Sequence, residues 1–342
     1  MQSIKLATLT TLLATAITSP MAIAHTNTSA LFTPKENSVP QQLKQVDGYY
    51  RFMLGDFEVT ALYDGYLNIG KEAYAQFTKL SEAELNKLIE NEFRPLTEQG
   101  GVHTAVSAFL INTGKNLILV DAGSGDVFGD KVGFVAENMK KAGYQPEQVD
   151  IILPTHLHFD HFSGVTRNGK MVFPNATLYI SNQEKAFWYD TPLSNIPEHV
   201  RQYVQWTKDA VAPYEKAGQV TYYDSGKEIF PNVISVRSHG HTPGHAGFEF
   251  SSKGETLFVW GDLLHNHAIQ LAVPDVAAEF DVDAEGAKES RARLLPDIAK
   301  RKLWVAGAHL PFPGIGHIRA EDKGGYSWIP IEYMPIEPKN KP

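Results

Sequence analysis

Thr155-His156-Leu157-His158-Phe159-Asp160-His161 places three histidines and an aspartate within six residues. No other stretch of the chain restricts its fold as much. The run before it, Val149-Asp150-Ile151-Ile152-Leu153, reads as a strand, and alternate side chains of a strand share a face. His156 and His158 then point the same way. The chain must bend for Asp160 and His161 to face a second centre. Imidazole and carboxylate together suit zinc and its neighbours. A cluster this dense is poorly explained by packing, so it reads as the first half of a two-metal hydrolytic site. The remaining ligands have to come from other strand ends.

The rest of the chain supplies such ends. Tyr50–Leu54 and Phe57–Gly65 read as a hairpin turning at Gly55-Asp56, with Asp64-Gly65 closing its second strand. Ser81 to Phe93 reads as a helix. Ser81 and Glu84 have capping-box spacing, and Leu85, Leu88 and Ile89 mark one face. A second hairpin, Ala108–Asn112 with Asn116–Asp121, runs into Asp121-Ala122-Gly123-Ser124-Gly125. That loop lacks the Walker lysine and the spaced glycines of a dinucleotide fingerprint. It reads as a tight turn beside the histidine loop. Helices are expected over Lys131–Ala142, from Ser163-Gly164, over Asn182–Tyr189, through much of Pro192–Ala210 and over Glu285–Lys300. Further strands are expected at Ala176–Ser181, Val220–Tyr223, Val233–Arg237, Gly247–Phe250, Thr256–Trp260 and Lys302–Ala306. Strand–helix–strand order beside hairpins predicts a mixed α/β layered fold.

Three of these strands end in further ligands. Val233–Arg237 leads to Gly240-His241-Thr242-Pro243-Gly244, Thr256–Trp260 to Gly261-Asp262, and Lys302–Ala306 to Gly307-Ala308-His309. One metal can take His156, His158 and His241, and the other Asp160, His161 and His309, with Asp262 as the bridging carboxylate. Positions stay open for a shared water, which two cations about 3.5–4 Å apart ionise near neutral pH. His239 and His245 flank the ligand loop and read as supporting or turn residues, and His317 as a loop hydrogen-bonder. His103 and His199 lack a partner pattern and read as surface residues. Asp64 and Asp121 close strands, and either orient metal-bound histidines or cap turns.

The ends of the chain and its composition limit the function further. Lys5, the apolar run Leu6 to Ile17 and the small-residue site Ala22-Ile23-Ala24 read as an export signal over residues 1–24. The apolar run is too short for the roughly 20 residues of a membrane span, so secretion or a periplasmic location is expected, without an anchor. Residues 25–48 read as an extended arm, 49–335 as the hydrolase domain and 336–342 as a tail. A formal charge of −8 argues against nucleic acid as a partner. With no cysteine there are no disulfides, so stability rests on burial and metal.

His-x-His-x-Asp-His, the Gly-His-Thr-Pro-Gly loop, Gly-Asp after a strand and a late histidine after a strand resemble the metallo-β-lactamase superfamily. The stretch Ala308-His309-Leu310-Pro311-Phe312-Pro313-Gly314-Ile315-Gly316-His317-Ile318-Arg319 narrows the resemblance to methyl parathion hydrolase and its relatives. The resemblance implies a four-layer αββα sandwich, a dinuclear centre on the seven residues above, secretion and a homodimer. Its aromatic pocket implies Phe128 and Trp188, with Tyr203 where another pocket aromatic is expected. The chain departs from the organophosphate hydrolase in Leu263-Leu264-His265-Asn266-His267, which is expected to be apolar there. His265 then makes the pocket more polar, better suited to a lactone or ester carbonyl than to an aryl phosphotriester.

The expected reaction is attack by a metal-bridging hydroxide on a small neutral lactone or aryl ester. Asp262 bridges two divalent cations, and Asp160 also serves as proton acceptor. Zinc is the default metal, and iron, manganese or cobalt suits the same ligands. Phe128, Trp188, Tyr203 and His265 would contact the substrate. A phosphotriesterase, and a metal-binding protein of closed coordination without turnover, are the competing readings.

Overall fold

A computed structural model describes residues 39–336, apart from Pro95, Glu98, Gln99 and residues 197–200. The expected export signal, most of the arm, the tail beyond Ile336 and His199 lie outside the described residues. The chain divides between Gln45 and Val46. Residues 39–45 are exposed and irregular. Among the described residues, every strand and helix lies from Val46 onward.

Leu117-Ile118-Leu119-Val120 is apolar throughout because both faces of that strand are covered. Ile118 and Val120 point inward with Phe109, Ile151 and Leu153, and meet Phe248, Phe250, Leu257 and Val259 of a second sheet. Leu117 and Leu119 point outward with Leu110 and Ile152. They pack under Val135 and Met139 of the helix Val135–Lys141 and Val204, Val211 and Tyr214 of the helix Arg201–Ala217. The second sheet repeats the pattern. Leu257 and Val259 face the first sheet, while Phe258 faces Leu294, Leu295 and Ile298 of the helix Ala284–Arg301. The period of two therefore produces helix, sheet, sheet, helix, the four layers expected.

Each sheet has seven strands. The first runs, in spatial order, Tyr49–Leu54, Phe57–Gly70, Gly101–Asn112, Leu117–Val120, Ile151–Leu153, Thr177–Ser181 and Val220–Tyr223. The second runs Glu228–Phe230, Val233–Arg237, Ala246–Ser252, Glu255–Val259, Trp304–Ala306, Ile315–Ala320 and Tyr326–Pro330. The last four strands of the first sheet pair in parallel, as do Glu255–Val259 and Trp304–Ala306. Parallel strands end on the same side, and the crevice beyond their carboxyl ends is where such sheets bind ligands.

Several expectations need correction. The second strand does not close at Asp64-Gly65 but continues to Gly70 after a register shift. The helix expected over Lys131–Ala142 starts only at Val135, because Gly133 sits at φ +95°. At Ser163-Gly164 a helix does begin, but only a single 3-10 turn, Ser163–Val165. A one-turn helix, Phe159–Phe162, comes earlier, and a Cβ on Gly164 would collide with the Ala122 carbonyl. The helix His267–Gln270 and the strands Ile315–Ala320 and Tyr326–Pro330 were not anticipated. The capping box of Ser81 and Glu84 is present on Glu82–Asn91. No helix among the described residues is long and apolar enough to cross a membrane.

Leu295 is fully buried in the outer layer. Leu295→Ala is expected to lower unfolding stability by about 3 kcal/mol through lost transfer energy and a residual cavity. Urea denaturation of the full chain measures this, and metal stoichiometry is expected to stay unchanged.

Candidate metal centre

The strand Ile151–Leu153 ends before the histidines. His156 and His158 therefore sit in an irregular loop, and Asp160 and His161 on the one-turn helix after it. The shared facing expected of alternate strand residues does not set their geometry. Convergence comes instead from different ring nitrogens: His156 offers Nε2 and His158 offers Nδ1, 2.9 Å apart. His241 Nε2 lies 2.8 Å from His158 Nδ1 and 3.1 Å from His156 Nε2. Asp262 Oδ2 stands 3.2 Å from His241 Nε2 and 3.6 Å from His156 Nε2.

A second set converges beside the first. His161 Nε2 and His309 Nε2 are 3.3 Å apart, and each is 3.5 Å from Asp160 Oδ2. Asp262 Oδ1 lies 3.0 Å from His161 Nε2 and 3.2 Å from His309 Nε2. Donors bonded at about 2.0–2.1 Å to one tetrahedral cation lie roughly 3.3 Å apart, so both sets have the right size. Asp262 gives one oxygen to each. Its Oδ1 is buried without a hydrogen-bond donor, which is costly unless a cation takes the lone pairs. The donor sets thus fit two divalent cations, with the seven residues divided as the spacing suggested.

The rings are held from behind. His161 Nδ1–H donates to Asp121 Oδ2 at 2.9 Å, His241 Nδ1–H to Asp281 Oδ1 at 3.0 Å, and His309 Nδ1–H to the Ala105 carbonyl at 2.8 Å. His156 Nδ1 lies 3.1 Å from Thr155 Oγ1. Such partners fix the tautomer that aims Nε2 at a metal. Asp121 also accepts the Thr155 N–H at 2.8 Å, from a backbone φ of +60°. Asp64, by contrast, touches no histidine among the described residues. It accepts the N–H groups of Ser124 and Val135 and ties down the glycine-rich loop.

His245 is not a ligand. Its Nε2 accepts the Asp262 N–H at 2.9 Å. Burial and the neighbouring His241 push its pKa down to about 3, so it stays neutral and can accept. His239 is exposed. His103 is exposed on its strand against Tyr66, and His317 meets the Leu303 carbonyl at 2.8 Å.

The four residues expected at the substrate are placed differently from one another. His265 is buried, with Nε2 2.9 Å from Asp262 Oδ2 and its ring 4.4 Å from that of Phe280. It is held there by Gln270, whose Oε1 accepts the N–H groups of His265 and Asn266. Phe128 is 45% exposed and stacks on Phe159 at 4.4 Å. Phe159 in turn meets Tyr203 at 5.5 Å and Trp206 at 5.8 Å. These rings form a half-exposed aromatic shelf joined to the ligand loop. Trp188 does not belong to it. It is only 2% exposed, its ring stands 5.4 Å from His158, and its Nε1–H donates to Glu184. It backs a ligand and has little surface to offer a substrate.

Sequence reading passed over Asp281, Glu184, Phe159 and Phe280. Asp281 precedes a helix and looks like a cap, a role that Asp283 fills. Phe159 lies inside the motif, between His158 and Asp160.

In the metal-free chain burial would lower the pKa of His241, but Asp262 and Asp281 outweigh it and hold it up at about 9. A cation must therefore displace a proton at pH 7. Metal uptake is expected to release protons and weaken as pH falls, which calorimetry in buffers of different ionisation enthalpy measures. Asp262→Asn is expected to lose the paired binding of two cations, and with it turnover. Wild-type metal content in that variant would show the bridging assignment to be wrong. Asp121→Asn is expected to weaken metal binding by about 10–100-fold.

The profile described as Metallo-beta-lactamase superfamily matches residues 102–309, from the long third strand to the last ligand. An N-acyl homoserine lactonase from Bacillus sp is 29% identical over 175 residues, 50% of this chain. The match spans 60% of that relative's length. Among solved structures, hydrolase AbOPH in the beta lactamase superfamily has a TM-score of 0.81 at 38% identity, covering 85% of this chain and 100% of that one. AidC, a dizinc quorum-quenching lactonase, has a TM-score of 0.76 at 29% identity, covering 84% of this chain and 99% of its own. With the ligand geometry and the layered fold in agreement, the chain belongs to the metallo-beta-lactamase superfamily.

Proposed function

We propose that this chain is a dinuclear, zinc-dependent hydrolase of lactones or aryl esters, exported from the cell and working as a homodimer. The observation that carries the hydrolase reading is Asp262, buried and shared between two convergent donor sets. The lactonase names of AidC and the Bacillus sp relative support the substrate class. The apolar amino-terminal run supports export, and the family resemblance supports the dimer.

When bound, the two cations supply Lewis acidity and acidify water held between them. The chain's own residues do the rest. Asp160 lies at the more open side of the second set, where it can accept a proton from the attacking water. Asp121, Asp281 and Thr155 keep the imidazoles aimed. Burial pushes the pKa of His265 down to about 4, so the neutral ring can donate Nε2–H to Asp262 Oδ2 at 2.9 Å and steady that carboxylate beside the substrate. The shelf of Phe128, Phe159 and Tyr203 gives an apolar tail somewhere to lie.

Kinetics on dihydrocoumarin, an acyl-homoserine lactone and methyl parathion with one metal-analysed preparation test the proposal. Highest kcat/KM is expected on a lactone. Methyl parathion as the best substrate would favour the phosphotriesterase reading, and a fully metallated protein inert on the whole panel would favour metal storage. Phe159→Ala is expected to raise KM for a long-chain acyl-homoserine lactone by about tenfold with little change in kcat, since uniform apolar binding is lost. A short-chain lactone should barely respond.

A further inference from the structure

Glu184 is a carboxylate at 2% exposure that takes no part in the chemistry above. Burying a charge without partners is costly, and this one has four donors. Oε2 accepts the Leu157 N–H at 3.0 Å and the Trp188 Nε1–H at 2.7 Å. Oε1 accepts the Thr242 hydroxyl at 2.5 Å and the Gly244 N–H at 2.9 Å. Burial pushes its pKa up, and these donors offset only part of that rise.

The donors are not scattered. Leu157 lies between the ligands His156 and His158. Thr242 and Gly244 follow the ligand His241. Trp188 places its ring against His158. One side chain therefore joins the two loops that carry all three histidines of the first donor set. A second link runs beside it: Ser181, which caps the helix bearing Glu184, donates its hydroxyl to the Gly244 carbonyl at 3.1 Å. A Cβ on Gly244 would collide with the backbone N of Glu184, so the loop is seated directly on the helix start. The second donor set is held by other means, through Asp121 and the Ala105 carbonyl.

We propose that Glu184 is the positioning residue of the three-histidine half of the centre, a clasp that sets the spacing of His156, His158 and His241 and so governs cation affinity at that position alone. The inference rests on the two-cation reading. Its chemistry requires an ionised carboxylate. An amide has one acceptor oxygen, so glutamine in either orientation would oppose its NH2 to N–H donors, either those of Leu157 and Trp188 or that of Gly244.

The test is stepwise titration of the full-length, metal-stripped chain with Zn(II) against a chromophoric chelator, and with Co(II) followed by its visible d–d bands. Wild type is expected to take two equivalents. Glu184→Gln is expected to weaken the three-histidine position by about 10–100-fold and alter its Co(II) bands, leaving the other position unchanged. Glu184→Asp, which keeps the carboxylate on a shorter arm, is expected to recover part of the loss. A folded Glu184→Gln with both affinities as in wild type, or with both lowered equally, overturns the inference. Should that variant fail to fold, Thr242→Val and Trp188→Phe each remove one donor. Both are expected to weaken the three-histidine position selectively, and wild-type affinity in both overturns the inference. A wild-type chain that binds fewer than two equivalents overturns the two-cation reading itself, which separates the two failures.

Discussion

Everything at the strand ends depends on one buried carboxylate. Asp262 lies within 3.6 Å of the ring nitrogens of His156, His161, His241, His265 and His309. Its Oδ1 has no hydrogen-bond donor. Lone pairs from two carboxylates and several imidazoles cannot converge at such distances in a low-dielectric interior without positive charge between them. Protons on some of the rings are the metal-free answer. His161 is driven well above its ordinary pKa, against the effect of burial, by Asp262, Asp160 and Asp121. Two cations are the answer that also uses the matched geometry of both sets.

The cost of gathering these groups explains much of the surrounding architecture. Parallel strands bring the loops to one edge, but a loop alone does not aim a ring. Asp121, Asp281, Thr155 and the Ala105 carbonyl each grip the far nitrogen of a ligand. His245 grips the backbone of Asp262 itself. Glu184 extends the same principle from rings to loops. Farther out, Arg291 is fully buried and donates to the carbonyls of Pro274, Leu263 and Val276. It thereby fixes the segment on which His265 rides. Rigid support at this density is what a site built on loops needs to keep working distances.

How much was legible in advance follows from how local each signal is. The hairpin at Gly55-Asp56 and the helix capped by Ser81 were readable because turn chemistry and capping act over a few residues. The convergence of seven imidazole and carboxylate side chains was readable because each follows a strand that the apolar runs announce. Ile315–Ala320 and Tyr326–Pro330 were not, since these last two strands of the second sheet alternate weakly. Asp281 and Glu184 left no local mark. Each looks like an ordinary acidic residue near a helix start, and only its distant partners give it a role. Trp188 and Phe128 looked alike as pocket aromatics, yet one is buried against His158 and the other is open to solvent.

The sequence by itself determined the layered class and which side chains converge at the strand ends as two donor sets, because residue type and strand-end position are written residue by residue. Tertiary structure alone decided which ring nitrogen each histidine presents, which carboxylates stand behind them and which aromatics remain free for a substrate. Those outcomes depend on contacts between segments that are far apart in the chain, such as Glu184 with Gly244 and His309 with Ala105, and side-chain direction there is set by packing rather than by any neighbouring residue.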